Sequence, residues 1–146
     1  MAVEKLTVAD ELLEQALRLY YEGTSYFAAL HLAGAAEELL GAHLTAVGAK
    51  STFESWRTDG VELANSLRVD GTPITKRDMG NLLNHAKNRT KHMDSIEDGV
   101  AGFDPADEAR ELLDRAVSDF YHLMQYFPLV ETPLIARFNR DTLVRV

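Results

Sequence analysis

The residues from Lys76 to Asp94 carry the side chains best suited to chemistry. Asn81, His85, Asn88, Arg89 and His92 recur at i, i+4, i+7/i+8 and i+11. On a helix turning about 100° per residue they share one flank. Two imidazoles, two amides and a guanidinium in that arrangement can hold an anion or move protons near neutral pH. Arg89, His85 and Lys91 are the candidates to contact a substrate phosphate. A polar helix shoulder whose histidines merely hydrogen-bond along the helix has the same spacing, and the sequence leaves both readings open. Met79, Leu82, Leu83, Ala86, Thr90 and Met93 form the stripe expected to be buried.

Charge is segregated around this segment. From Thr72 to His92 there are five basic residues (Lys76, Arg77, Lys87, Arg89 and Lys91) and one acid, Asp78; the rest of the chain holds ten basic and 22 acidic residues. A net charge of −8 argues against indiscriminate binding of nucleic acid or anionic membrane. One helix-sized cationic segment in an anionic chain is either a local phosphate contact or an ordinary solvated face.

Other candidates are fewer. Glu37 and Glu38 stand in the most apolar helix, where ionised carboxylates need partners. One reading sets them behind His92 or Lys87 as supporting acids, and the other makes them structural ion pairs. No metal site is expected: His85 and His92 are about 10 Å apart along a helix, and the Glu-x-x-His pairs of di-iron bundles are absent. With no cysteine, thiolate nucleophiles and Cys-based zinc sites are excluded. Neither a nucleophile elbow nor a phosphate-cradling glycine loop is present, so no cofactor is expected.

Five helices must position these groups. Thr7 to Asp10 reads as a capping box that opens a helix ended by Gly23. Ser25 caps a second, reaching about Val47 before Gly48. It mixes leucines with Ala28, Ala29, Ala33, Gly34, Ala35, Ala36, Gly41 and Ala42, the pattern of a helix buried on nearly every side. Residues 51–67 form a third, with Gly60 as an interruption. Thr75 and Asp78 repeat the capping box and open the fourth, to about Glu97. Asp104-Pro105 caps the fifth, whose stripe runs from Ala109 through Leu112, Leu113, Ala116, Val117 and Phe120 to Phe127.

At 146 residues the chain fits one domain able to bury a core. The expected fold is all-α: an antiparallel up-and-down bundle over 1–130, with a tail at 131–146 holding a short helix after Pro133. The N-terminus lacks the basic start and apolar run of a signal peptide, and no apolar window is long enough to cross a bilayer. A cytoplasmic location without membrane association is expected.

Lys87-Asn88-Arg89-Thr90-Lys91-His92 resembles the signature of the HEPN superfamily, in which an Arg, commonly followed by Asn, is separated from a His by four to six intervening residues. The stretch Leu32 to Gly41 is similar to the central helix of small bacterial members. Lys87 occupies the place of the Arg, and Asp94 stands where toxins paired with nucleotidyltransferases carry Tyr. The resemblance implies a helical bundle, a homodimer, and metal-independent RNA cleavage within a bacterial defence or toxin-type system. His92 would handle the proton of the 2′-hydroxyl or of the leaving oxygen, Lys87 would stabilise phosphate charge, and Asn88 would orient phosphate or imidazole. Lysine supplies the charge without the bidentate contact of arginine, which favours binding of RNA or nucleotide phosphate over cleavage. A nucleotidyltransferase or antitoxin is the implied partner. From another class, a non-enzymatic helical protein-interaction module remains the alternative.

Overall fold

The structure, a computed structural model, describes residues 2–68, 71–91 and 102–144. Among these are seven helices and no strand: α1 (Lys5–Glu22), α2 (Tyr26–Ala46), α3 (Thr52–Leu67), α4 (Lys76–Leu83), α5 (His85–Lys91), α6 (Pro105–Leu123) and α7 (Pro133–Val144). The count exceeds the expected five for two reasons. The fourth helix divides at Asn84, and the tail forms a twelve-residue helix.

Local chemistry sets most of the boundaries. Gly23 takes φ 78° and its N–H donates to the Leu19 carbonyl at 3.2 Å, a left-handed cap that turns α1 into α2. Ser51 Oγ accepts from the Glu54 N–H at 3.1 Å and starts α3. Thr75 and Asp78 form the reciprocal capping box of α4, and Asp104 caps α6 ahead of Pro105. The start of α1 differs from expectation. It begins two residues before Thr7, with Glu4 at the N-cap and no side-chain cap. Gly60 does not interrupt α3; a Cβ there would stand 2.9 Å from Met79 Sδ, so the missing side chain admits α4.

The core lies where α1, α2 and α6 meet. Leu13 and Leu17 of α1, Leu30, Leu40 and Leu44 of α2, and Leu113, Phe120 and Leu123 of α6 are fully buried. The apolar stripe of α6 is buried as expected from Ala109 to Leu123, where the helix ends, and Phe127 lies half-buried beyond it. Helix α2 packs on α1, α6 and α5, but it is not covered on every side: Phe27, Ala28 and Ala42 are exposed.

The topology departs from a simple up-and-down bundle. Gly34 lies against Leu112, Glu37 against Arg115, and Gly41 against Asp119. The two numbers rise together, so neighbouring α2 and α6 run parallel. The chain between them, carrying α3, α4 and α5, makes the crossover. Helices α1 and α7 are also parallel, because Glu14 meets Thr132, Tyr20 meets Phe138, and Tyr21 meets Asp141.

The tail belongs to the core. Ile135 and Phe138 are buried, Tyr21 donates to Asp141 at 2.7 Å, and the Arg137 guanidinium lies 3.7 Å from the Tyr21 ring centre. These apolar residues are therefore buried within the chain's own core. Among the described residues, no helix is long and apolar enough to cross a membrane.

Ala36 is fully buried and Ala42 is exposed on the same helix. Ala36→Leu should cost about 1–3 kcal/mol by overpacking, and Ala42→Leu less than about 0.5 kcal/mol, both read from denaturant midpoints. Equal midpoints for the two would remove α2 from the centre of the bundle.

Candidate functional site

Glycine spacing in α2 makes room for charge. Gly34, Glu37, Glu38 and Gly41 repeat along the side of α2 that looks toward α5 and α6. A Cβ at Gly34 would come within 2.7 Å of Lys87 Cδ, and one at Gly41 within 3.4 Å of Ser51 Cβ. The lysine stem and the start of α3 therefore lie directly on the α2 backbone.

Helix α6 supplies the opposite wall through two buried charges inside its apolar face, Arg115 (2% exposed) and Asp119 (0%). Arg115 Nε stands 2.7 Å from Glu37 Oε2. The contact is an ion pair rather than an aligned hydrogen bond, since neither atom has a hydrogen-bond partner among the described residues. The other guanidinium nitrogens donate to the Leu83 carbonyl at 3.4 Å and to Asn84 Oδ1 at 3.2 Å. The cation also faces the rings of Phe53 and Trp56 at 5.3 and 5.9 Å. Arg115 thus binds α2, α3 and the α4–α5 junction to α6.

That junction explains why the fourth helix divides. Asn84 sits at φ −100°, ψ 8°, off helical values, and its side chain and the preceding carbonyl both turn to Arg115. The buried stripe is reset with it. Gly80, Ala86 and Lys87 are buried, while Leu82, expected inside, is 68% exposed. Lys87 Nζ lies 2.5 Å from Glu38 Oε1.

Helix α3 closes the arrangement. Asp119 Oδ1 accepts from the Thr52 N–H at 2.8 Å, Ser51 is buried, and Arg57 pairs with Glu54. Between α2, α3, the α4–α5 junction and α6 lies a polar cleft of about 290 Å³. Burial pushes the Glu37 carboxyl up, against the pull of Arg115 and Lys87. Burial also raises Asp119, opposed by its hydrogen bonds from Thr52. No group of three or more His, Asp or Glu among the described residues is placed to hold a metal ion.

The residues singled out in the sequence fall into three places. Lys87, Glu37 and Glu38 come together in the cleft, and Glu38 is the acid that meets Lys87. His85 and Asn88 are exposed on the outer side of α5, with the His85 ring 6.5 Å from that of Phe103; Arg89 is half-buried. Lys91 ends α5, and His92 lies outside the described residues. Sequence reasoning missed Arg115 and Asp119. Their signal was present as a cation and an acid at i, i+4 bordering the clean apolar stripe of α6.

Two measurements test the network. Arg115→Met leaves Glu37 buried without its cation and should cost about 3–5 kcal/mol. Adding Glu37→Leu should recover most of that loss, and strict additivity in denaturant unfolding would show that the two do not interact. Because burial raises Asp119, the folded chain keeps a proton that the unfolded chain releases. The contribution of Asp119 is complete below the unfolded carboxylate range and is lost as pH rises through the folded value. Asp119→Asn cannot titrate, so it should gain stability relative to the parent as pH rises from the unfolded carboxylate range through the folded value. A difference that stays constant with pH would show that burial does not raise Asp119.

Compared with known protein families, with curated proteins and with solved structures, the chain has no match in any of the three.

Proposed function

We propose that the chain is a HEPN-like protein of a bacterial defence or toxin-type system that acts on RNA as a cytoplasmic homodimer. It binds phosphate along the outer flank of α4 and α5, as a weak metal-independent ribonuclease or as a binder without cleavage. The observation that carries this reading is the exposure of that flank. Asn81, His85 and Asn88 stand outside at helical spacing, and Lys76 and Arg77 are exposed where α4 begins. Elsewhere the acidic chain repels phosphate, so the flank is where an RNA strand meets attraction.

Lys87 takes a different part from the one its place in the motif implies. It is buried against Glu38, so it orients α5 while Arg77 and Arg89 supply charge to the strand. Asn88 remains on the exposed side, available to phosphate. In the cleaving form of this reading, His92 takes the proton of the 2′-hydroxyl or returns one to the leaving oxygen. A nucleotidyltransferase or antitoxin is the proposed partner.

A helical interaction module is the second reading, and one observation favours it. The sixteen residues of α3 include none that is buried, and Leu63 and Leu67 are 60% and 71% exposed. Leucines in that state fit a surface that a protein partner covers.

Anisotropy titration of a labelled single-stranded RNA separates the two. Under the RNA reading, affinity should fall with salt by about 0.7 log unit per log unit for each phosphate neutralised. Arg77→Ala should weaken binding and flatten that slope by about one contact's worth. His92→Ala should leave binding nearly intact and abolish any cleavage, which persists in excess chelator. Absence of RNA binding at low salt would leave the interaction module as the reading.

A further inference from the structure

We propose that the cleft between α2, α3 and α6 binds a small organic cation, an aliphatic amine or guanidine, through Asp119 Oδ2. Asp119 is 0% exposed. Its Oδ1 is satisfied by the Thr52 N–H, but Oδ2, at the wall of the cleft, accepts no hydrogen bond among the described residues. Buried acceptors are seldom left so.

The charge of the lining selects the ligand. Four carboxylates face the cleft (Glu37, Glu38, Glu54 and Asp119) against two cations, Arg57 and Lys87. Lys87 sits on Glu38, Arg57 on Glu54, and Arg115 reaches Glu37 from behind. Among the described residues no cation stands within ion-pair distance of Asp119, and Arg115 and His122 pull its carboxyl down only from farther off. An ammonium or guanidinium supplies both the missing donor and the missing charge, and it does so where the low dielectric makes the attraction strong. A neutral alcohol supplies only the donor.

Size points the same way. At about 290 Å³ the cleft lies just under the roughly 300–1,000 Å³ of sites for drug-sized molecules, which suits a body no larger than an amino acid. Gly41 keeps the floor open, since a Cβ there would stand 3.8 Å from Oδ2. Thr45 forms part of the rim and is exposed. The site is independent of the RNA reading, which places phosphate on the opposite flank of α5.

Calorimetric titration of the full chain at low salt with putrescine, agmatine and 1,4-butanediol tests the assignment. At least one amine should bind saturably, and the diol should not. Asp119→Asn should weaken amine binding by about tenfold or more, the worth of a hydrogen bond to a charged group. Thr45→Leu, which narrows the rim without touching charge, should also weaken it and decides the matter if the Asn variant does not fold. No saturable amine binding to the folded parent, binding of the diol as tight as that of the amines, or amine binding unchanged by both substitutions would overturn the proposal.

Discussion

The ion pair between Arg115 and Glu37 fixes the register on which the rest of the molecule depends. Both side chains are almost wholly buried, at 2% and 6% exposure, so neither tolerates the loss of the other. A buried pair of this kind is poor evidence for extra stability, because desolvation offsets most of the attraction. What it supplies here is discrimination. Sliding α6 along α2 by one helical turn in either direction would set Glu37 opposite Glu111 or Asp119. Each slip replaces a cation with an acid in a desolvated setting. Parallel helices packed through leucine and alanine have little else to choose one turn over the next.

The same guanidinium reaches beyond the α2–α6 pair, and this produces the break in the fourth helix. A continuous helix would keep the Leu83 carbonyl for its own backbone ladder. Arg115 offers that carbonyl and the Asn84 amide a charged donor instead, and such bonds are stronger than neutral ones. The backbone departs from helical values at Asn84 and resumes at His85. One consequence is the inward turn of Lys87 onto Glu38, across the gap left by Gly34. Another is the separation of two surfaces of opposite character: an acidic cleft inside the fold and a polar, partly basic flank on the outer side of α4 and α5.

How much of this was legible in the sequence depends on the range of the interaction involved. Caps act over three or four residues, and the Thr75–Asp78 box and Asp104-Pro105 mark boundaries that the structure keeps, while Ser25 holds the N-cap position of α2 without the expected side-chain hydrogen bond. The apolar stripe of α6 is a short-range pattern and was equally readable. Thr7 misled because Glu4 starts the helix without a side-chain cap, so α1 is set by the packing of Leu6, Ala9 and Leu13 rather than by local capping. The parallel pairing of α2 with α6 and the break at Asn84 were not readable, because each rests on contacts between residues more than thirty positions apart. Of the candidate site, an acid of α2 set against Lys87 was one of two readings open in the sequence. Which acid it would be was not readable, since Glu37 is the buried one and the exposed Glu38 makes the contact. Arg115 and Asp119 did not emerge, since charged residues beside a stripe read as its solvated border.

Helix α3 depends on this charged network more than on the apolar core. It buries no residue of its own, so little hydrophobic free energy holds it against the bundle. Apart from its packing on α4 through Gly60 and Met79, its contacts with α2 and α6 are these: Ser51 packed on Gly41, the Thr52 N–H on Asp119, and the Phe53 and Trp56 rings on Arg115. Every one of those contacts is made to the network that lines the cleft. Elements with few buried apolar contacts open at lower free energy than the core, which makes α3 the wall of the cleft that opens first. Anything that occupies the cleft and adds a contact to Asp119 or Glu54 fastens α3 as well, because a ligand that binds only the closed arrangement stabilises that arrangement by mass action.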